Sequence, residues 1–258
     1  AAEVLAGNGI DAHVFPALRP TPELSFAIRR LGCQAGIVIT ASHNPKEYNG
    51  YKVYWSDGGQ IVPPHDKGII ERVREVEGLA AVRRAAPDDA LIHTIDVQLD
   101  KDYHQAIAGH RISEALIEEG SDLGIVYSPL HGTGTVSMAP ALAACGFRNV
   151  EVLAAQSEPD GNFPTVESPN PEEASALRLA IERATESGAQ LVLATDPDSD
   201  RVGAAVRQED GDFRLLNGNE MASLLVHYVL KAKAERGKLE EGDFVARTVV
   251  TTRLISDI

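Results

Sequence analysis

The chain has 258 residues, 43% of them hydrophobic, which is enough to bury the core of one large domain or of two ordinary ones. Its 38 acidic and 24 basic residues give a formal net charge of −14, which argues against nucleic acid or an anionic membrane surface as the main partner. Cys33 and Cys145 have no metal-type spacing and are expected to be buried thiols of a cytoplasmic protein, and no apolar stretch approaches the ~20 residues of a membrane span.

The first part of the chain alternates between helical and extended patterns. In chain order, these patterns predict a helix at residues 1–5, a strand at 11–15, a helix at Thr21–Leu31, strands at 36–41 and Tyr51–Trp55, and a helix at 65–78. Thr21 is expected to be the N-cap of its helix, with Pro22 at the first helical position and Gly32 at its end. The apolar run at 36–41 is typical of a buried parallel strand. The polar, alanine-rich residues 79–92 are predicted to be a linker.

The second part of the chain has a clearer α/β pattern. It predicts strands at residues 123–127, 150–154, Leu191–Thr195 and 202–206, with helices at 136–145 and 170–188. Asn170 and Glu173 are placed to cap the second of these helices reciprocally. The β-α-β-α-β order predicts a parallel sheet with right-handed crossovers. From about residue 211 a third unit is predicted, with a helix followed by a strand at 244–251.

Two loops carry residue types suited to chemistry, and each comes directly after a predicted apolar strand. One reads TASHNPKEYNGYK (residues 40–52) and the other TDPDSDR (residues 195–201). In open α/β sheets, functional sites gather at the carboxyl ends of strands. Both loops are therefore expected where chemistry takes place.

Alternating carboxylates in the second loop indicate a cation site. Asp196, Asp198 and Asp200 would repel one another unless a cation lay among them, and all-oxygen ligands favour Mg²⁺, with Ca²⁺ or Mn²⁺ possible. An EF-hand is excluded, because Arg201 stands where that loop needs glycine and Arg207 where it needs glutamate. Arg201 suggests a phosphate oxygen near the metal. The alternatives at this stage are a solvated acidic turn and a surface ion pair.

The first loop favours phosphoryl transfer over acyl transfer. It lacks a G-x-S-x-G elbow, and no acid is placed to orient His43 as a triad base. Ser42 suits phosphoryl transfer if a metal stabilises the charge, and a phosphorylated Ser42 could give that metal a fourth oxygen. His43 and Lys52 could balance phosphate charge or move a substrate proton. The alternatives are a capping or turn serine, a turn histidine and a solvated lysine.

The two loops, in this order and with SPLHGTG (residues 128–134) between them, resemble the α-D-phosphohexomutases, the phosphoglucomutase/phosphomannomutase superfamily. Residues 49–69 resemble the branch that contains bacterial α-phosphoglucomutase and animal glucose/pentose phosphomutase. The resemblance implies an α/β fold of serial three-layer domains with mixed, largely parallel sheets. It implies that residues 1–90 are the C-terminal part of domain I with the phosphoserine loop, 91–208 domain II with the metal loop, and 209–258 the truncated start of domain III.

The resemblance also implies a site and a reaction. By position, Ser42 matches the family's phosphoserine, and Ser42, Asp196, Asp198 and Asp200 match the ligands of one Mg²⁺ ion. His43, Lys52 and Arg201 match catalytic residues that also bind substrate. The implied reaction moves a phosphoryl group between C1 and C6 of glucose phosphate through a sugar 1,6-bisphosphate, which is also the activator. A phosphopentomutase and a phosphomannomutase are the alternatives within the family.

We expect the chain to be a fragment that turns over substrate poorly, because the family's sugar-reading loop, distal phosphate-binding loop and early arginine loop are absent from it. The sequence leaves the oligomeric state open. Outside the family, the alternatives are a haloacid-dehalogenase-type phosphatase, a D-x-D glycosyltransferase and a non-catalytic binding module. For SPLHGTG, a tight βα turn is favoured over a phosphate cradle at Gly132 and Gly134.

Overall fold

The computed structural model describes all 258 residues and divides them into two compact units. The first unit comprises Ala1–Ala41 and Glu47–Gln105, and the second comprises Ser42–Lys46 and Ala106–Ile258. The short segment Ser42–Lys46 therefore belongs to the second unit, although the residues on either side of it in the chain belong to the first. None of the helices combines the length and the apolar character that crossing a membrane requires.

The first unit is built from short elements. These are α1 (Ala2–Gly7), β1 (Ala12–Val14), α2 (Thr21–Leu31), β2 (Ala35–Ile39), β3 (Tyr51–Trp55), α3 (His65–Arg74), β4 (Ile92–Thr94) and the start of α4 (Gln98–Gly109). Strands β1 and β4 pair in parallel, and β2 and β3 form a separate antiparallel pair. A small apolar cluster lies between α2 and the start of α4, around Ala27, Ile95 and Leu99. Nearly every predicted element of this unit is present.

Three expectations for the first unit are wrong in detail. The run predicted as a buried parallel strand is β2, which is antiparallel to β3 and only half-buried, with Ile39 58% exposed. An apolar run does not specify its partner, and here the next strand along the chain folds back beside it. Pro20 rather than Thr21 is the N-cap of α2, although Gly32 ends that helix in the left-handed conformation as expected. Cys33 is half-buried rather than buried, as is Cys145 in the second unit.

The second unit is organised around a five-stranded sheet with the order β6-β5-β7-β8-β9. Its strands are β5 (Ile125–Ser128), β6 (Val150–Val152), β7 (Leu191–Thr195), β8 (Val202–Arg207) and β9 (Phe213–Leu216). Its helices are α5 (Glu114–Glu119), α6 (Met138–Cys145), α7 (Ala174–Ser187), α8 (Gly218–Glu235) and α9 (Leu254–Asp257). Helices and mixed sheets together confirm the predicted α/β fold class.

The sheet changes from parallel to antiparallel at β7. Strands β6, β5 and β7 are parallel to one another, whereas β7, β8 and β9 are antiparallel. Residues 196–201, which join β7 to β8, are too few for the crossover that a parallel pair needs, so the chain reverses. The parallel order predicted for the β-α-β-α-β run is present in β5, β6 and β7, and β8, which follows that run, is antiparallel to β7. The predicted strand at 244–251 is absent and Val249 there is 98% exposed, whereas β9 was not predicted.

The core of the second unit packs helix α7 against β5 and β7. Leu177, Ala180 and Ala184 of α7 are fully buried against Val126 of β5 and Val192 of β7. Alanines on this face allow the helix to lie close to the sheet. Helix α7 begins at Ala174, later than predicted, and ends at Gly188 in the left-handed conformation. The packing fixes the carboxyl end of β7, where the acidic loop begins.

Candidate functional site

The acidic loop is a tight turn closed by its own first carboxylate. Asp196 follows β7 directly and is fully buried. Its Oδ1 accepts a hydrogen bond of 3.0 Å from the backbone N–H of Arg201, and its carbonyl oxygen accepts one of 2.9 Å from that of Ser199. Ser199 takes a left-handed conformation with φ 54°, which is uncommon for a residue other than glycine. We call residues 196–201 the acidic turn.

Three carboxylates of the acidic turn lie close enough to share one cation. Asp196, Asp198 and Asp200 each offer an oxygen, and these oxygens all lie within 4.8 Å of one another. Asp196 and Asp198 are buried and Asp200 is exposed. Burial, followed by hydrogen bonding to and repulsion from Asp198, raises the pKa of Asp196 to about 7. A divalent cation would offset the free-energy cost of ionising the buried Asp196 beside Asp198. An all-oxygen donor set fits Mg²⁺.

Ser42 reaches the acidic turn from a segment far away in the sequence. Its Oγ donates a hydrogen bond of 2.8 Å to Oδ2 of Asp196, across 154 positions of the chain. The side chain is buried, and the backbone has a left-handed φ of 52°. His43 follows, with its Nδ1 3.5 Å from the Ser42 Oγ. The second unit therefore brings a serine hydroxyl, an imidazole and three carboxylates together.

Arg201 and Lys52 have different relations to this cluster. The Arg201 backbone closes the acidic turn, whereas its guanidinium Nε is 4.0 Å from Oδ1 of Asp200 and the side chain is 46% exposed. A half-exposed guanidinium at the rim is available to an anionic ligand. Lys52 lies on β3 of the first unit, opposite Val38 of β2. Its predicted role at the site stays a prediction.

The SPLHGTG segment packs directly against the acidic turn. A side chain at Gly132 would overlap the backbone of Pro197, and one at Gly134 would overlap the Tyr127 hydroxyl and Thr195 Oγ1. The chain's own atoms thus occupy the space beside both glycines, which supports the tight-turn interpretation over a phosphate cradle. The sequence pattern contains both glycines, but it does not indicate their contact with the acidic turn. The pair Gly132 and Gly134 was the sequence feature that could have indicated a close approach of this segment to another part of the chain.

Residues of the same segment also join a buried polar network that no motif of the sequence indicated. His131, with a left-handed φ of 59°, contacts Thr165 Oγ1 through Nε2 at 2.9 Å. Gln156 donates to the same Thr165 hydroxyl at 2.9 Å and accepts from Ser128 Oγ at 2.6 Å. The Leu130 backbone N–H donates a hydrogen bond of 3.1 Å to the Ser128 hydroxyl. These bonds hold the left-handed residues that turn the segment toward Pro197.

This α/β scaffold, with a serine and an acidic cluster in one unit, matches known protein families. Residues 1–79 match the model for α/β/α domain I of phosphoglucomutase/phosphomannomutase, and residues 101–211 match domain II. The phosphoglucomutase of Staphylococcus saprophyticus is 36% identical over 259 residues, which covers 98% of this chain and 45% of that protein. Human phosphopentomutase is 36% identical over 244 residues, covering 92% and 39% respectively.

Solved structures agree with the sequence relatives. A Thermus thermophilus protein assigned as a phosphomannomutase superposes with a TM-score of 0.73 at 28% identity, covering 88% of this chain and 48% of that one. A Burkholderia thailandensis protein of the phosphoglucomutase/phosphomannomutase family gives a TM-score of 0.68, which supports the fold. The chain therefore belongs to the α-D-phosphohexomutase superfamily, a family of phosphosugar mutases. It spans less than half the length of these curated relatives.

Proposed function

We propose that this chain supplies the phosphoryl-transfer site of a Mg²⁺-dependent phosphosugar mutase, with Ser42 as the residue that carries the phosphoryl group. The observation that carries the proposal is the 2.8 Å hydrogen bond from Ser42 Oγ to Asp196, within a cluster of three carboxylates. Asp196, Asp198, Asp200 and Ser42 would hold one Mg²⁺ ion. When bound, the ion neutralises charge on the phosphoryl oxygens.

Each residue has a defined part in the proposed transfer. The P–O bond to Ser42 Oγ breaks as a hydroxyl oxygen of the sugar monophosphate bonds to phosphorus, which gives a sugar bisphosphate. The hydroxyl proton passes to a base, which we assign to His43 or Lys52. Arg201 at the rim attracts the phosphate. After the bisphosphate turns round, Ser42 takes the other phosphoryl group by the reverse of these steps.

Glucose phosphate, with transfer between C1 and C6, is the substrate we propose. Resemblance of residues 49–69 to the phosphoglucomutase and glucose/pentose phosphomutase branch supports it. Relatives of similar identity are named phosphoglucomutase, phosphopentomutase and probable phosphomannomutase, so pentose and mannose phosphates are the alternative substrates. Glucose 1,6-bisphosphate would then be both the intermediate and the activator. The two free thiols support action in a reducing compartment, which we propose to be the cytoplasm.

Intact-mass measurement tests the nucleophile. After incubation with glucose 1,6-bisphosphate and Mg²⁺, we expect the chain to gain one phosphoryl group, because the bisphosphate is the proposed donor to Ser42. Ser42→Ala should abolish the gain, and Ser157→Ala is a matched control, since Ser157 Oγ bonds only to the Ala154 carbonyl. A phosphoryl group that persists in Ser42→Ala would contradict the proposal. A phosphoryl group carried on an aspartate would point instead to a phosphatase of the haloacid-dehalogenase type.

A further inference from the structure

We propose that Thr133 is a positioning residue that holds the acidic turn in the shape a cation needs. The inference rests on the proposed function, because it assumes that Asp196, Asp198 and Asp200 bind a divalent cation. It concerns the affinity of that site rather than the chemistry at Ser42. Thr133 itself touches none of the three carboxylates through a hydrogen bond and acts through Pro197.

Two donors of Thr133 converge on one carbonyl of the acidic turn. The Thr133 backbone N–H lies 2.8 Å from the Pro197 carbonyl oxygen, and the Thr133 hydroxyl donates to the same oxygen at 3.0 Å. Pro197 stands between Asp196 and Asp198, and its ring fixes φ. Because the carbonyl accepts from both donors, the peptide plane that joins Pro197 to Asp198 is held in one orientation. That plane determines where the Asp198 side chain begins.

A line of hydroxyl groups continues this support along the turn. Thr133 Oγ1 lies 3.3 Å from Ser199 Oγ, which lies 3.4 Å from Thr195 Oγ1. Thr195 in turn shares a 2.7 Å hydrogen bond with the Tyr127 hydroxyl, which is fully buried. Ser199 has the left-handed backbone that costs free energy in a residue other than glycine. The hydroxyls offset part of that cost before any ion binds.

The glycines on either side of Thr133 explain why it can reach the turn. Side chains at Gly132 and Gly134 would overlap Pro197 and the Tyr127–Thr195 pair, respectively. Because neither glycine has a side chain, the backbone of residues 132–134 lies close enough to the acidic turn for the Thr133 amide to donate to the Pro197 carbonyl. Carboxylates that repel one another would spread apart in a free loop, and an ion would then have to gather them. Holding them in place beforehand raises affinity by removing that ordering cost.

Thr135 provides a matched control within the same short turn, Thr133–Val136. Both threonines are half-buried, and the Thr135 hydroxyl donates to the Ser157 carbonyl at 2.6 Å. Ser157 is not part of the acidic turn. Thr→Val removes a hydroxyl and keeps the shape at either position. Only the change at residue 133 should alter the cation site.

Calorimetric titration with Mn²⁺, supported by the Mn²⁺ electron paramagnetic resonance signal, tests the inference without any turnover. We expect Thr133→Val to weaken Mn²⁺ binding about fivefold, the factor of one net hydrogen bond. Thr133→Ser should restore the wild-type affinity because it restores the hydroxyl. Thr135→Val should leave the Mn²⁺ affinity unchanged, although both valine variants lower the melting temperature of the metal-free chain.

The outcomes separate this inference from the proposed function. Unchanged Mn²⁺ affinity in Thr133→Val would overturn the positioning role alone. Wild-type chain that does not bind Mn²⁺, or binds it equally after Asp198→Asn, would overturn the proposed site and this inference with it. Should Thr133→Val fail to fold, Thr133→Ala removes the same hydroxyl with a smaller side chain. Weaker Mn²⁺ binding in that variant supports the positioning role, and unchanged binding overturns it.

Discussion

At the scale of single residues, Glu23 shows how a buried carboxyl group can be kept protonated. Glu23 on α2 is 1% exposed; the Arg19 guanidinium forms a bidentate pair with Asp100 at 3.0 and 2.7 Å, whereas its Nε is 3.9 Å from Oε1 of Glu23. Burial first, then hydrogen bonding to and repulsion from Asp100, raises the pKa of Glu23 to about 8. The same arginine lowers the pKa of Asp100. Two neighbouring carboxyl groups thus take opposite protonation states.

This pair predicts a pH dependence of stability in the first unit. Between the ordinary pKa of 4.5 and about 8, folded Glu23 keeps a proton that the unfolded chain releases, so the free energy of unfolding falls as pH rises. The slope is at most ~1.4 kcal/mol per pH unit. Glu23→Gln keeps the shape and removes the titration, so its unfolding free energy should fall less steeply. Urea unfolding at several pH values measures the difference between the two proteins.

The comparison between wild type and Glu23→Gln is needed because His104 changes the stability with pH in the direction opposite to Glu23. Burial lowers the pKa of His104, so its contribution to stability grows as pH rises through the range where the unfolded histidine loses its proton. The variant retains His104, and subtraction of the two pH profiles isolates Glu23. Parallel profiles for wild type and Glu23→Gln would show that Glu23 is ionised when folded. Glu77→Gln, an exposed site, is the control.

At the scale of elements, helix α7 carries the packing that fixes β7 and the acidic turn. Leu177 is fully buried at the centre of that packing. We expect Leu177→Ala to lower the free energy of unfolding of the second unit by about 2–5 kcal/mol, through lost burial and the cavity left behind. Glu182→Ala on the exposed face, where Glu182 pairs with Arg178, should cost about 0.5 kcal/mol or less. Denaturant unfolding followed by circular dichroism compares them, and equal losses would contradict the assignment of the core.

Some features of the elements, such as helix ends and strand bounds, could be predicted from local sequence, and others could not. Gly32 and Gly188 end α2 and α7 in the left-handed conformation, and both stops could be predicted because glycine tolerates that conformation wherever it occurs. Strand β3 matches its predicted bounds, Tyr51–Trp55. The direction of β2 could not be predicted, since pairing depends on which strand lies alongside, whereas the short loop 196–201 already indicates that β8 reverses beside β7.

At the scale of the whole molecule, Ser42–Lys46 belongs to the second unit, the same unit as the acidic turn. We expect Mg²⁺ to slow amide hydrogen exchange in Ser42–Lys46 and in the acidic turn together, because Ser42 bonds to Asp196. Exchange in β1 of the first unit should not change. Mass spectrometry of exchanged peptides measures this.

Asp198→Asn is the control for the exchange experiment, since it removes one buried carboxylate of the cluster. Protection by Mg²⁺ should then be lost in both segments. Protection of the acidic turn alone, with Ser42–Lys46 unaffected, would show that the serine does not share the cation site. Protection that survives Asp198→Asn in full would place the ion elsewhere.

The sequence by itself determined the α/β class, the family, the helix stops at glycine and the residue types of the two loops. These follow from hydrophobic periodicity, backbone sterics and motif order, which are written locally in the chain. The rule that sites gather at the carboxyl ends of parallel strands can apply to the acidic turn, because β7 is parallel to β5. It did not apply to β2, which lies in an antiparallel pair.

Only the tertiary structure decided what depends on groups distant in sequence. The contact between Ser42 and Asp196 joins positions 154 residues apart. The protonated state of Glu23 and the support of Pro197 by Thr133 likewise arise from packing between segments that no local pattern connects. Burial, charge and hydrogen bonding act through space, so the geometry and electrostatics of the site emerge only once the chain has folded.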